Sequence, residues 1–264
     1  MSFDFTAETP RENEMRHIAV DNDFESWRVA ARKLLSQRIS PDEIVWGCGT
    51  QGGLYEIAPS TVGGFLTATV PKAFIKLAEV IACYDDAEKW PLLYRILYRL
   101  SFENKHLLNI ESDTDIRDAR LMEKAVNRDV HKFHAFVRFR KMECNGEEVY
   151  AAWHEPQHWC VTRATPFFAR RFGAMKWSIL TPKGCAHWDL KRLTFSEPAM
   201  RSQAPRTDDF EEFWLSYYRS IFNPFRLNVK TMKREMPVRH WATLPEASLI
   251  QELVRDAVST KANT

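Results

Sequence analysis

Residues 133–154, FHAFVRFRKMECNGEEVYAAWH, decide the fold class of this chain. Side chains alternate along the first run, which places His134, Phe136, Arg138 and Arg140 on one face. Phe133, Ala135, Val137 and Phe139 fall on the other, the face assigned to the core. Asn145-Gly146 suits a tight hairpin turn, and a second alternating run follows, so the stretch predicts a β-hairpin.

Upstream of it the spacing is helical. DFESWRVAARKLLSQ, residues 23–37, carries Phe24, Trp27, Ala31, Leu34 and Leu35 at helical intervals, with Asp23 as N-cap. DEIVWG reads as a short strand. Helices are predicted over about 71–83, 90–100 and 113–131. The second shows Arg95 and Arg99 on one face, and the third opens with acids and closes with bases, as its dipole favours. Residues 1–17 are polar and read as a flexible N-terminus.

Downstream, MKWSILTPKGCAHWDLKRLTF, residues 175–195, predicts a second hairpin turning near Pro182 and Gly184, and PFFARRFG between the hairpins reads as a short helix. PRTDDFEEFWLSYYRSIFNP predicts a helix with an Asp208/Glu211 capping box, ended by Asn223-Pro224, and EASLIQELVRDAVST predicts one more. The fold class expected is α+β, a helical N-terminal half followed by an antiparallel sheet of two hairpins covered by helices. Residues 18–264 are read as a single domain, helical to about 131 and sheet-containing from about 132.

Composition excludes several function classes. Charged residues at 27% and hydrophobic ones at 45% describe an ordinary globular protein, and the net charge of +2 selects no partner. No apolar run is long enough to span a bilayer, and the first residues lack the apolar core of a secretory signal. Five scattered cysteines without a C-x-x-C pair point to reduced thiols and a cytoplasmic protein. Six of the nine glycines fall within 47–64, in neither a dinucleotide-binding nor a P-loop order, so no cofactor is expected.

The end of the first hairpin contains His154-Glu155-x-x-His158, the pattern of zinc proteases. That chemistry needs both histidines on one helical face, and Pro156 stands inside the motif directly after a strand. The protease helix is therefore rejected. A looser metal site from His131, His134, His154 and His158 stays open as an alternative, beside ordinary hydrogen-bonded histidines at the ends of elements. His131, Glu155 and Asp189 are the candidate acid–base residues, provided they share a cleft.

Residues 128–192 hold twelve Lys or Arg against six Asp or Glu, interleaved with Trp153, Trp159, Phe168, Trp177 and Trp188. Cations for phosphates beside flat rings for unpaired bases are what a nucleic-acid groove requires, and a solvated charged face over an aromatic core shows the same composition. The contacts expected from a groove are Arg138, Arg140, Arg170, Arg171, Asn223, Arg226 and Lys230, with Trp177 or Trp188 stacking on a displaced base.

Several long stretches, among them NRDVHKFHAFVRFR, AAWHEPQHW, PFFARRFGAMKWSILTP, HWDLKRLTF and YYRSIFNPFRLNVKTMKREMPVRHWATLPEA, resemble an uncharacterised bacterial family linked to DNA metabolism and repair. In that family the domain is found fused to uracil-DNA-glycosylase-type domains and paired with a radical-SAM helix-hairpin-helix protein. The resemblance implies a DNA repair or modification factor that binds DNA and works with a radical-SAM protein, a uracil-DNA glycosylase, or both. A lesion-processing enzyme with a His/Glu site, or an adaptor for the radical-SAM partner without DNA contact, are the alternatives. The chain departs from the family pattern at Phe133 for a Met, at His154 where an aromatic is frequent, at FNPFR for Asn-Pro-Ala-Arg, and at CYDD for a His-Arg-Asp run. Leu190 stands where a Trp-Asp-Gly has its glycine.

Overall fold

The computed structural model describes residues 15–48, 70–144, 147–203 and 229–244, with 247, 249, 250, 254 and 255 beyond them. The chain divides into two compact units, residues 1–127 and 128–264. The helix expected over 205–224, Asn223, Arg226 and most of the expected C-terminal helix lie outside the described residues.

Unit 1 opens with β1 (Arg16–Val20), which pairs in parallel with β2 (Ile44–Cys48). Residues 16 and 17 thus belong to a strand rather than to a loose terminus. Between them, α1 (Phe24–Ser36) is capped as its sequence demands, the Asp23 carboxylate accepting the Ser26 N–H at 2.9 Å. Helices α2 (Lys72–Ile81) and α3 (Lys89–Phe102) follow, and then the start of α4 (Thr114–Phe136). Trp27 of α1 stacks on Trp90 of α3 at 6.2 Å, at the centre of the unit's core.

Two polar devices hold unit 1 in register. The buried Lys89 ammonium donates to Asn22 Oδ1 (2.5 Å) and to the carbonyls of Ala82 (2.8 Å) and Tyr84 (2.6 Å), just past the C-terminus of α2. A cation suits that end of a helix dipole, and its neutral acceptors satisfy it in place of water. Arg99 bridges Asp113 and Asp115, and Arg95 reaches Asp115. The Arg99 guanidinium holds the Asp113 carboxyl below the usual carboxylate range. The basic face of one helix therefore meets the acidic start of the next.

Unit 2 begins with the last turns of α4 and continues into a five-stranded sheet of order β3-β4-β5-β6-β7. Its strands are β3 (Arg140–Cys144), β4 (Glu147–Trp153), β5 (Trp177–Leu180), β6 (Cys185–Trp188) and β7 (Leu193–Ser196). The first hairpin forms with Cys144 opposite Glu147, but it starts at Arg140 rather than 133. Residues 133–136 continue α4 instead, so that Phe133 and Val137 are buried as expected while Ala135 is exposed and Phe136 is buried. Helix α5 (Val161–Arg171) then makes a crossover, so β4 and β5 pair in parallel within an otherwise antiparallel sheet. β7 adds a third strand to the second hairpin.

Alternation along the strands decides what faces the core. Trp177 (2% exposed), Ile179 and Ala186 are buried, and Trp177 meets Phe168 of α5 edge-on at 6.2 Å and Phe139 at 5.7 Å. The opposite face carries a cross-strand row, Arg140, Ala151, Ser178, His187 and Thr194. Leu190, in the β6–β7 turn, has φ 80°, a left-handed conformation in which a side chain crowds its own backbone. The short helix α6 (Val229–Glu235) and a 3-10 turn, Val238–Thr243, complete the described part of unit 2.

Candidate nucleic-acid interface

Residues 153–160, WHEPQHWC, form a corner between β4 and α5. The His154 N–H still donates to Leu180 O (3.1 Å) as β4 ends, and no helix underlies the two histidines until Val161. Trp153 donates its indole N–H to Glu155 Oε1 at 2.9 Å. Pro156 is buried, Glu155, Gln157 and Trp159 face solvent, and His154, His158 and Cys160 point inward.

One carboxylate organises the turn. Asp129 of α4, 3% exposed, accepts the His158 N–H (2.9 Å) and the Cys160 S–H (3.5 Å) on the same oxygen. Its other oxygen lies 3.7 Å from Arg239 Nη2. Arg239 in turn donates to Gln157 Oε1 (3.1 Å) and to His240 Nε2 (3.1 Å). The residues on both sides of Trp159 are thus tied to one buried group.

Inside the corner, four rings form a continuous row, three of them stacked and Phe133 tilted against His154. His154 lies against Phe133 at 4.4 Å and parallel to His240 at 5.2 Å, with an interplanar angle of 2°, and His240 stacks on Phe136 at 5.0 Å. Phe133 and Phe136 are a helical turn apart on α4, so two imidazoles are clamped between neighbouring phenyls. His154 has no exposed surface, and neither of its ring nitrogens has a hydrogen-bond partner. Burial, aided by the neighbouring His240 and Arg239, pushes it down to about 3. Burial and Arg239 push His240 down to about 4. Both imidazoles are neutral at pH 7 and pack as aromatic rings.

The residues expected as acid–base groups each have their own surroundings. His131 is exposed on α4, Glu155 is engaged by Trp153, and the Asp189 carboxylate accepts the N–H groups of Lys191 (2.8 Å) and Arg192 (2.6 Å). Asp189 is thereby a turn residue, held below its usual range by those backbone donors. No hydrogen bond or ion pair joins the three. The four-histidine metal alternative fails on geometry too, since His134 donates to Ala164 O at 2.9 Å and His154 sits in the ring stack. Among the described residues, no group of three or more His, Cys, Asp or Glu side chains is placed to hold a metal ion.

The expected DNA contacts divide sharply by exposure. Arg170 and Arg171, in the last turn of α5, and Lys230 on α6 are exposed. Arg138 instead donates to the Ala135 (2.7 Å) and Val137 (3.2 Å) carbonyls at the end of α4, and Arg140 is buried in β3. Trp177 is a core ring and offers no stacking surface. Trp188 is half-buried, with its indole N–H on Gly173 O at 3.1 Å.

A different set of residues borders the corner. Lys183 donates to Gln157 O (2.7 Å) and lies 5.0 Å from the centroid of Trp159, which is 37% exposed. Arg239 holds the other side of Gln157. Lys132, on α4, is depressed by burial and then by the like charges of Arg128 and Arg239, so these cations are close neighbours. Lys183, Trp159, Arg239, Lys132 and Arg128 accordingly form one mainly basic strip with an aromatic ring in it, and Asp129 and Glu235 lie among its cations. Trp159 and Lys183 belong to the basic, aromatic stretch 128–192, but none of these five residues is among the contacts expected from the sequence. The usable signal was the alternation of inward and outward positions through HEPQHWC, which leaves Trp159 outside.

Among the described residues, no helix is long and apolar enough to cross a membrane. No curated protein and no solved structure matches the chain. One family profile does, over residues 87–246, well over half of the sequence. The chain belongs to the DUF4130 family, a domain of unknown function.

Proposed function

We propose that this protein is a DNA-binding factor in DNA repair or modification, and that unit 2 makes its nucleic-acid contacts through the strip Lys183–Trp159–Arg239–Lys132–Arg128. The observation that carries the reading is the strip itself, in which positive side chains crowd together beside an exposed indole. Lys132 is lowered by burial and by the positive charges of Arg128 and Arg239, which Asp129 and Glu235 only partly offset, and the phosphate backbone is a dense line of anions that can meet the rest. Arg170, Arg171 and Lys230 add exposed positive charge elsewhere on the unit. The resemblance to a DNA-metabolism family supports DNA as the polyanion, with a radical-SAM protein or a uracil-DNA glycosylase as working partners.

The test is fluorescence anisotropy with labelled DNA across a salt series, comparing the native chain with Arg128→Ala/Lys183→Ala. Each lost phosphate contact removes roughly 0.9 from the slope of log affinity against log salt on duplex DNA, so a flattening by about 1.8 is expected. An unchanged affinity and slope, in a variant of unchanged thermal stability, would show that the strip is not the binding surface.

A further inference from the structure

We infer that Ser196 is a nucleophile activated by His187, and that the sheet of unit 2 carries on this face a site for acyl transfer from an uncharged carboxylic ester. The site goes beyond the DNA reading and shares no residue with the basic strip. His187, on β6, lies between two hydroxyls. Ser178 Oγ of β5 is 2.8 Å from its Nδ1, and Ser196 Oγ of β7 is 2.8 Å from its Nε2. The register of the sheet sets this up. Ser178 pairs with His187 across β5 and β6, Thr194 pairs with His187 across β6 and β7, and Ser196, two residues on, shares their face.

The chemistry follows from where the protons can sit. A neutral imidazole has one N–H and one lone pair, so it cannot donate to both hydroxyls or accept from both. With Nδ1–H donating to Ser178 Oγ, Nε2 accepts the Ser196 O–H and is placed to take its proton. Burial pushes His187 below the ordinary imidazole value, which keeps that lone pair available at neutral pH. Ser196 is exposed whereas Ser178 and His187 are half-buried, so a substrate reaches the nucleophile rather than the group behind the base. No charged group contributes to the shift of His187, and both partners of its ring are neutral. A site with no cation at its base suits an uncharged ester better than a phosphodiester, whose extra charge would need one. In the reaction Ser196 Oγ bonds to the carbonyl carbon and the bond from that carbon to the alcohol oxygen breaks. The serine proton passes through His187 Nε2 to the departing alcohol. Water then attacks the acyl-serine, its proton passing through His187 to Ser196 Oγ, so that one ester and one water give one acid and one alcohol. Ser178 is a positioning residue that fixes the tautomer of the ring.

The probe is p-nitrophenyl acetate, with nitrophenolate release followed by absorbance and the acetyl group located by peptide mass mapping. The native chain is expected to release nitrophenolate faster than buffer and to carry the acetyl group on Ser196. Ser196→Ala should return release to the buffer rate. His187→Gln keeps a polar side chain between the hydroxyls but takes no proton, and should slow release about a hundredfold or more. Ser178→Ala should slow release, and Ser178→Thr, which restores the hydroxyl, should recover it. Ser196 is on the surface, so thermal unfolding of Ser196→Ala should match the native chain. No release above buffer, acetyl groups only on other residues, or release unchanged in Ser196→Ala or His187→Gln would overturn the site, and failure of Ser178→Thr to recover the rate would overturn the role of Ser178. The DNA reading is tested on other residues and stands or falls separately.

Discussion

The buried imidazole pair makes unit 2 sensitive to acid in a way that can be calculated. His154 and His240 titrate at about 3 and about 4 in the folded chain, against 6.5 for a free imidazole. The unfolded chain therefore binds the extra protons. Stability from this source is complete above about pH 6.5 and falls as pH drops toward the folded values. One pKa unit is worth about 1.4 kcal/mol, so at pH 5 each histidine removes roughly 2 kcal/mol and the pair roughly 4 kcal/mol. That is a large share of the ~5–15 kcal/mol that holds a typical domain together. The carboxylates held low by partners, Asp113 and Asp189 among them, have ordinary values near 3.8, so their contribution is lost mainly below this window. The perturbation that isolates His154 is His154→Phe. Neither ring nitrogen has a partner to lose, and a phenyl can take the place between Phe133 and His240. Urea unfolding followed by circular dichroism at pH 7 and pH 5 should show the native chain losing about 2 kcal/mol more than the variant. His134 and His187, also depressed by burial, add equally to both and cancel. Equal losses in the two proteins, or an NMR titration placing His154 near pH 6.5, would refute the reasoning.

Two further outcomes follow from the sheet of unit 2. Leu190→Gly should raise stability by about 1 kcal/mol, because glycine takes the left-handed φ of 80° without crowding and the leucine is 44% exposed, with little burial to lose. A higher thermal midpoint checks it, and a lower one would show that Leu190 makes packing contacts worth more than its strain. Trp177→Ala should cost about 3–5 kcal/mol through the cavity left between Phe139 and Phe168, measured by denaturant unfolding, whereas a loss below about 1 kcal/mol would mean the site collapses around it.

What was legible in the sequence is what local chemistry decides. Asp23 caps α1 as its position before an apolar stripe requires, and Asn145-Gly146 does separate two paired strands. Pro156 excludes the protease helix by itself. The misreadings arise where a longer-range effect wins. Residues 133–136 alternate like a strand, yet Phe133 and Phe136 also suit one face of a helix. A helix already running from Thr114 adds each residue at the cost of one more, while a strand there would have to start anew. β1 is five residues long and its partner lies some way along the chain, so nothing in its own pattern announces it. The parallel β4–β5 pair depends on the α5 crossover, which hairpin reasoning does not weigh. At the candidate site, Trp177 and Trp159 are indistinguishable by composition, and only the fold shows that one is core and the other surface. The role of Asp129 was invisible for the same reason, since its donors lie about thirty residues along the chain.

The phenyl–imidazole stack also sets an order of events during synthesis. Its first rings, Phe133 and Phe136, leave the ribosome on α4, and its last, His240, follows roughly a hundred residues later, a loop whose closure entropy grows only logarithmically with length. Until then His154 has Phe133 beside it and an open site on its other face. The nascent sheet can pair its strands, but the corner that carries Trp159 stays unclamped while Arg239 has yet to reach Asp129 and Gln157. A half-made chain therefore carries the ring of the basic strip without the arginine that steadies it, and the strip is complete only once Arg239 is in place.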